Sequence, residues 1–265
     1  MKNQPLLSIV TITLNDFDGF YRTYISLKEI IRDEIEWIIK DGGSKKKEKK
    51  KIYNLLDSFD KDIKEKIIFE SSRDNGIYEA MNSCLDRATG HWLIFMNGGD
   101  EFKSCVSILE LLRTPKFSKF KMIIGSTNIM ENGKRFLSKA KEINNCMGIN
   151  SYRMAAMHQS QIFNIKVYEK VRFRKNYKIS GDHAYFWDSL NLIKDKKSIF
   201  IYPNVIANFY NDGISSKKGL KSLKEVTMSM LTIQRINFFV LVVASLKRLL
   251  VIIYYSMRSK FLYKF

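Results

Sequence analysis

Leu6-Leu-Ser-Ile-Val-Thr-Ile-Thr13, closed off by Asn15, Asp16, Asp18 and Gly19, is the stretch from which the fold follows. It is rich in β-branched residues and almost continuously apolar, the pattern of a strand buried on both faces of a parallel sheet. Outward from it the chain alternates. A helical stretch from Phe17 to about Arg32 leads to a strand at Ile35-Glu-Trp-Ile-Ile39, which runs into Asp41-Gly-Gly-Ser44. Lys45 to Phe59 then reads as helix, Lys66-Ile-Ile-Phe-Glu70 as strand, Tyr78 to Ala88 as helix and Trp92-Leu-Ile-Phe-Met96 as strand. Such alternation predicts an α/β fold, with a mostly parallel central sheet, flanking helices and right-handed crossovers. Ligands of these sheets bind at the carboxyl ends of the strands. Here those ends carry the polar loops at Asn15, at 41–44 and at Asn97-Gly-Gly-Asp100. Tyr78, Met81, Leu85 and Ala88 recur at helical spacing and are expected to face the core. Beyond residue 115 the pattern loosens: Met122 to Ser126 reads as a strand, and residues 128–157 have no clear period.

The 265 residues include 45 Lys and Arg against 27 Asp and Glu, a net charge of +18, and 45% are hydrophobic. That apolar content excludes a disordered chain. Cys84, Cys105 and Cys146 are odd in number and form no Cys-x-x-Cys pair, which argues against a disulfide framework or a zinc site and for free thiols in a reducing compartment. Met1 to Leu7 lack the charge and apolar run of a secretory leader, so a cytosolic location is expected. Excess positive charge attracts polyanions, whether nucleic acid, anionic lipid or phosphorylated substrates. The block Lys45 to Lys51 reads as a solvated helix face. From Gly213 to Phe265 ten Lys and Arg stand against the single acid Glu225, a net 10 − 1 = +9, interleaved with apolar runs. Within Ile236 to Met257, Lys247-Arg248 divides two apolar halves, neither of which reaches the roughly 18–20 residues of a spanning helix. With Tyr254, Tyr255, Lys260 and Lys264, this segment predicts a helix lying in the plane of an anionic membrane surface. A buried helix or a dimer contact is the other reading.

Four polar clusters could carry chemistry. Thr13-Leu-Asn15 and Asp41-Gly-Gly-Ser44 would lie side by side at the ends of two parallel strands, where an Asp can accept hydrogen bonds from a base or ribose. Each loop alone is equally an ordinary turn. Asp74-Asn-Gly-Ile-Tyr-Glu-Ala-Met-Asn82 opens a helix whose free N–H groups favour an anion. In Phe95-Met-Asn-Gly-Gly-Asp100, an amide oxygen and a carboxylate flank two glycines, a hard-oxygen set suited to Mg²⁺ or Mn²⁺ held largely by substrate phosphates. Ser180-Gly-Asp-His183 precedes an apolar run, so Asp182 is either a helix-capping group or a chemical one.

The order of these clusters resembles the inverting family 2 glycosyltransferases with a GT-A fold, of the type serving bacterial surface polysaccharides. The matching segments are Asp41 to Ser44, Asp74 to Asn82, Ala88-Thr-Gly90 and Phe95 to Asp100. His158-Gln-Ser160, Ser180 to His183 and Asp212-Gly-Ile-Ser215 match more thinly. The resemblance implies a nucleotide-sugar donor, with a UDP-sugar favoured, a divalent metal and transfer to a hydroxyl of a glycan or lipid-linked acceptor. It places Thr13, Asn15, Asp41, Ser44, Asp74 and Asn97 on the nucleotide sugar, with Asp41 on the base. Asp100 becomes the metal ligand, Asp182 the general base, and His158 and Gln159 the start of the acceptor side. The chain departs from the commoner Asp-x-Asp form by Asn97 and Gly99, and Asp212 replaces the first glycine of a late diphosphate loop. On this reading residues 1–215 form the transferase domain, nucleotide-sugar-binding over 1–127 and acceptor-side over 128–215. Residues 216–265 form a helical tail at the inner face of the cell membrane.

Competing readings fit less of the chain. A glycoside hydrolase uses two carboxylates but needs no diphosphate loops. A nucleic-acid binder explains the charge, yet no zinc-finger, RNP or basic-zipper pattern is present. A catalytically degenerate scaffold at the membrane, or a polyanion-binding protein, is the alternative that Asn97 keeps open.

Overall fold

A computed structural model describes residues 4–31, 34–210 and 219–262, without the side chains of 219 and 255–262. The expected alternation is present. β1 (Leu7–Thr13), α1 (Phe17–Leu27), β2 (Ile35–Asp41), α2 (Lys46–Asp57), the single turn α3 (Lys61–Lys64), β3 (Ile67–Ser71), α4 (Ile77–Leu85) and β4 (Trp92–Phe95) follow in order. β5 (Glu101–Phe102), α5 (Cys105–Arg113), β6 (Met122–Glu131), β7 (Lys134–Ser138), β8 (Gln161–Asn164), α6 (Ile165–Tyr168), α7 (Gly181–Ile193) and β9 (Ile199–Tyr210) complete the sheet and its cover. Two helices, α8 (Gly219–Thr232) and α9 (Phe238–Leu262), close the described chain.

The strand order is β3-β2-β1-β4-β8-β6-β9-β5, with β7 beside β6. The parallel half is the one read from the sequence, β3 to β4. β8 enters antiparallel between β4 and β6, and β6 pairs parallel with β9. Side-chain alternation divides β1 between two cores. Leu7 and Ile9 meet Phe20 and Leu27 of α1, Ile52 of α2 and Ile108 of α5 on one face. Val10 and Ile12 meet Tyr78, Met81 and Leu85 of α4 and Tyr185 of α7 on the other. The strands therefore hold their positions by burial on both faces. The period-free stretch 128–157 consists of the end of β6, β7 and short 3-10 turns. α1 is shorter than expected, ending in turns after Leu27, and Arg32 lies outside the described residues.

Candidate active site

Register sets the first half of the site. Thr13 pairs with Asp41 across β1 and β2, so both loops leave the sheet at one level. Asp41 is fully buried and its carboxylate accepts from Ser44 N at 3.1–3.2 Å, from the Ser44 hydroxyl and from Ser71 Oγ at 2.6 Å. Asn15 stands in the left-handed region at φ 54°. Its N–H donates to Ser44 Oγ at 2.6 Å, and its side-chain oxygen accepts from Lys45 N at 2.8 Å. The three residues are one hydrogen-bonded unit. Asp74 joins it by proximity, because a Cβ at Gly42 would stand 2.8 Å from Asp74 Oδ2. Glycine at 42 is what admits that carboxylate. Asp74 also accepts from Gly76 N at 2.9 Å, at the start of α4.

The 97–100 turn lies against the same strand end, where Gly98 N donates to Ile12 O at 2.9 Å. Gly99 takes φ 105°, which suits glycine. Beneath the turn sits Thr23 of α1, a fully buried residue that sequence reasoning missed. Its hydroxyl accepts from Gly99 N at 3.0 Å and lies 3.0 and 2.8 Å from the carbonyls of Asn97 and Asp100. A threonine inside an amphipathic helix gives no signal of such a role. Asp100 is 7% exposed; burial pushes its carboxyl up to about 8 against the lowering effect of Asn97 N–H. Gln159 Nε2 stands 3.5 Å from Asp100 Oδ1, joining the 158–160 turn to this group. Asn97 Oδ1 is buried without a hydrogen-bond partner. An amide oxygen without a partner beside a carboxylate that has only one backbone N–H and a long contact to Gln159 fits a hard divalent cation held mainly by a diphosphate. Among the described residues no set of three or more His, Cys, Asp or Glu could hold a metal without such help.

His158 is buried, stacked on Phe95 at 4.8 Å and edge-on to Phe173 at 5.8 Å, and neither ring nitrogen has a partner. Burial alone lowers its pKa to about 4, so the ring is neutral. Asp182 lies in the first turn of α7 and accepts from His183 N at 2.9 Å. Burial raises its carboxyl to about 6, against the lowering effects of local N–H groups and of Arg248. A Cβ on Gly181 would stand 2.6 Å from the Tyr78 ring, which ties the start of α7 to α4 and hence to the Asp74 loop. A cavity of about 230 Å³ opens there between Gly76 and Tyr78 on one side and Lys175, Tyr177 and Lys178 on the other.

The site therefore has two joined parts. Thr13, Asn15, Asp41, Ser44 and Asp74 form one with the Asn97, Asp100 and Gln159 group. Asp182 is reached from it through Tyr78. Asp212-Gly-Ile-Ser215 lies outside the described residues. Two matching segments turn out to be internal fastenings. Thr89 N, Thr89 Oγ1 and Gly90 N donate to the buried Glu36 carboxylate at 2.6, 2.9 and 2.9 Å. Asn82 exchanges two hydrogen bonds with the Phe173 backbone at 2.8 and 2.9 Å.

Comparison with known proteins identifies a family. The model of glycosyl transferase family 2 matches residues 8–187. A PGL/p-HBAD biosynthesis glycosyltransferase of Mycobacterium bovis is 33% identical over 96 residues, 36% of each chain. The match thus spans little more than a third of that curated relative. The mannosyltransferase PcManGT of Pyrobaculum calidifontis, solved with GDP-Man and Mn²⁺, superimposes with a TM-score of 0.63 at 12% identity, over 91% of this chain and 69% of its own. S. aureus TarS 1-349 in complex with UDP-GlcNAc gives 0.59 at 12% identity, over 86% and 67%. At that identity the likeness is one of fold.

Proposed function

This chain belongs to glycosyl transferase family 2, and from that premise we propose that it transfers a sugar from a nucleoside-diphosphate sugar, a UDP-sugar in the first instance, to a hydroxyl of a glycan or lipid-linked acceptor with inversion. The observation that carries the reading is the hydrogen-bonded strand-end cluster of Asp41, Ser44 and Asn15, with Asp74 and the 97–100 turn against it. The base and ribose lie at Thr13, Asn15, Asp41, Ser44 and Asp74. The 97–100 turn faces the diphosphate. Asp100 and the free Asn97 oxygen would hold Mg²⁺ or Mn²⁺, which supplies a Lewis acid for the leaving diphosphate. The neighbours solved with UDP-GlcNAc, and with GDP-Man and Mn²⁺, support the donor class and the metal.

Asp182 is the general base. An acceptor hydroxyl has a pKa far above 7, so attack on the anomeric carbon is helped by a carboxylate that takes its proton, typically by roughly 10²–10⁴-fold. A carboxylate titrating near 6 is ionised at neutral pH and a better proton acceptor than one at its ordinary value. One in-line displacement on the face opposite the diphosphate inverts the centre. His158 and Gln159 border the acceptor.

Attachment to the inner face of the membrane is part of the proposal. Among the described residues no helix is long and apolar enough to cross a membrane, and α9 turns an exposed apolar face outward. The first test is a thermal-shift panel of nucleoside diphosphates with and without Mn²⁺, since a ligand bound only by the folded state raises its stability. A rise with UDP that Mn²⁺ enlarges is expected. No rise with any nucleotide would exclude the donor site.

A further inference from the structure

Asp182 stands on a backbone segment that α8 holds. Residues 178–180 lead into α7 with three N–H groups, and the buried Glu225 carboxylate takes all of them. It accepts from Lys178 N at 2.9 Å, Ile179 N at 2.9 Å and Ser180 N at 2.8 Å. On the same helix face Ser222 Oγ meets Ser180 Oγ at 2.9 Å, and Ser229 Oγ meets His183 Nδ1 at 3.0 Å. Three buried polar residues at spacings of three and four all address the start of α7. The lone acid of the basic tail is thereby explained, and its isolation among basic residues was the signal available in the sequence.

α9 adds a cation. Arg248 Nη2 donates to Ser222 Oγ at 3.3 Å, its Nε is buried without a partner, and its charge acts on Asp182. The groups facing Asp182 are Tyr78 from α4, Glu225 from α8, Arg248 from α9 and its neighbour His183. Burial holds Tyr78 as a phenol and, with a pKa near 4, His183 as a neutral ring. Glu225 repels a second negative charge. Arg248 is the one cation among these groups, and together with the backbone N–H groups of Asp182 and His183 it favours an ionised Asp182.

We propose that the C-terminal helix pair belongs to the catalytic apparatus, with Glu225 a positioning residue that fixes the backbone beneath Asp182 and Arg248 a positioning residue that supplies the charge opposing its burial. The proposal rests on Asp182 being the base. Without Arg248, desolvation and Glu225 both drive that carboxylate toward its protonated form, in which it accepts no proton.

The test is the pH dependence of UDP release from the UDP-sugar that the nucleotide panel supports, with membrane extract as acceptor. Parent, Arg248→Gln, Arg248→Lys, Glu225→Gln and Asp182→Asn are compared as full chains. In Arg248→Gln the acid limb of kcat should move to higher pH by about one pH unit. At alkaline pH its kcat, and at all pH its KM for the sugar nucleotide, should stay within about twofold of the parent, and Arg248→Lys should restore the limb. Glu225→Gln should lower kcat at every pH while UDP still stabilises the fold. Superimposable limbs in parent and Arg248→Gln, or a loss uniform across pH, would overturn the role of Arg248; parental kcat in Glu225→Gln would overturn that of Glu225. If Asp182→Asn retains parental release, the base reading itself fails. If Asp182→Asn is inactive while the Arg248→Gln limb is unmoved, the base reading stands and only the Arg248 inference falls.

Discussion

Asp41 and Asp100 are both buried carboxylates, at and beyond the ends of the two parallel strands that flank β1, yet their partners differ. Asp41 accepts from Ser44 N, from two hydroxyls and from nothing charged, whereas Asp100 has one backbone N–H at 3.2 Å and a long contact to Gln159. A satisfied carboxylate is a fixed template for a base, and an under-satisfied one awaits a cation. Asp41→Ala should therefore weaken UDP binding with or without Mn²⁺, and Asp100→Ala should remove mainly the increment that Mn²⁺ adds. Titration calorimetry with UDP in both conditions measures the two effects; parental values in both variants would place the nucleotide elsewhere. Asp182→Asn preserves shape but accepts no proton, so donor affinity should stay near the parent while transfer falls by at least about 10²-fold. Single-turnover transfer at saturating donor reads that loss, and near-parental turnover would leave Asp182 as an acid in the first turn of α7 with no part in proton transfer.

At the scale of elements, the first half of the fold was legible because each signal there is local. A doubly buried strand such as Leu7–Thr13 has to be apolar throughout, and the turn after it has to carry Asn, Asp or Gly. The second half was not, because β8 pairs antiparallel with β4 and β6 across long sequence separations that no local period records. The residues proposed for the nucleotide sit at strand ends and announce themselves; Thr23, Glu36 and Arg248 act at a distance in sequence and do not. Glu36 shows the difference in kind. It lies at an even position of β2, reads as an interruption of an apolar strand, and its carboxylate fastens the Thr89-Gly90 turn ahead of β4. Glu36 also accepts from the buried Ser8 hydroxyl, so removing it takes an acceptor from four donors. Gly90 N keeps Ser8 Oγ, the two donors on exposed Thr89 can turn to water, and a donor left buried costs roughly 1–3 kcal/mol. Glu36→Ala should then destabilise the fold by about 2 kcal/mol, visible as a lower denaturation midpoint in urea. A midpoint within error of the parent would mean that water replaces the carboxylate.

Over the whole molecule, α9 has two faces with different duties. Leu241 and Ala244 are buried against Tyr152, Val226 and Met230, and Arg248 continues that inner face at helical spacing. Phe238 and Phe239 are 79% and 75% exposed, and Val242, Leu246, Leu250 and Ile253 extend the outer face. An exposed apolar stripe of that length marks a contact surface. On a chain of net charge +18 an anionic leaflet is the fitting partner, because each Lys or Arg near it adds on the order of 1 kcal/mol while inserted side chains add apolar attraction. Truncation before Ile236 is a poor test of this idea, since it strips Arg248 and the cover of Tyr152 along with the stripe. Replacing outward residues alone separates the duties: Phe239→Ser with Leu246→Ser and Leu250→Ser should release the protein from phosphatidylglycerol vesicles in sedimentation, while UDP still raises its melting temperature. High salt should weaken binding of the parent to the same vesicles, as expected for charge attraction screened over about 10 Å at 0.1 M. Equal binding to neutral and anionic vesicles at all salt concentrations would remove the electrostatic part, and undiminished binding of the triple variant would assign the stripe to a protein contact instead.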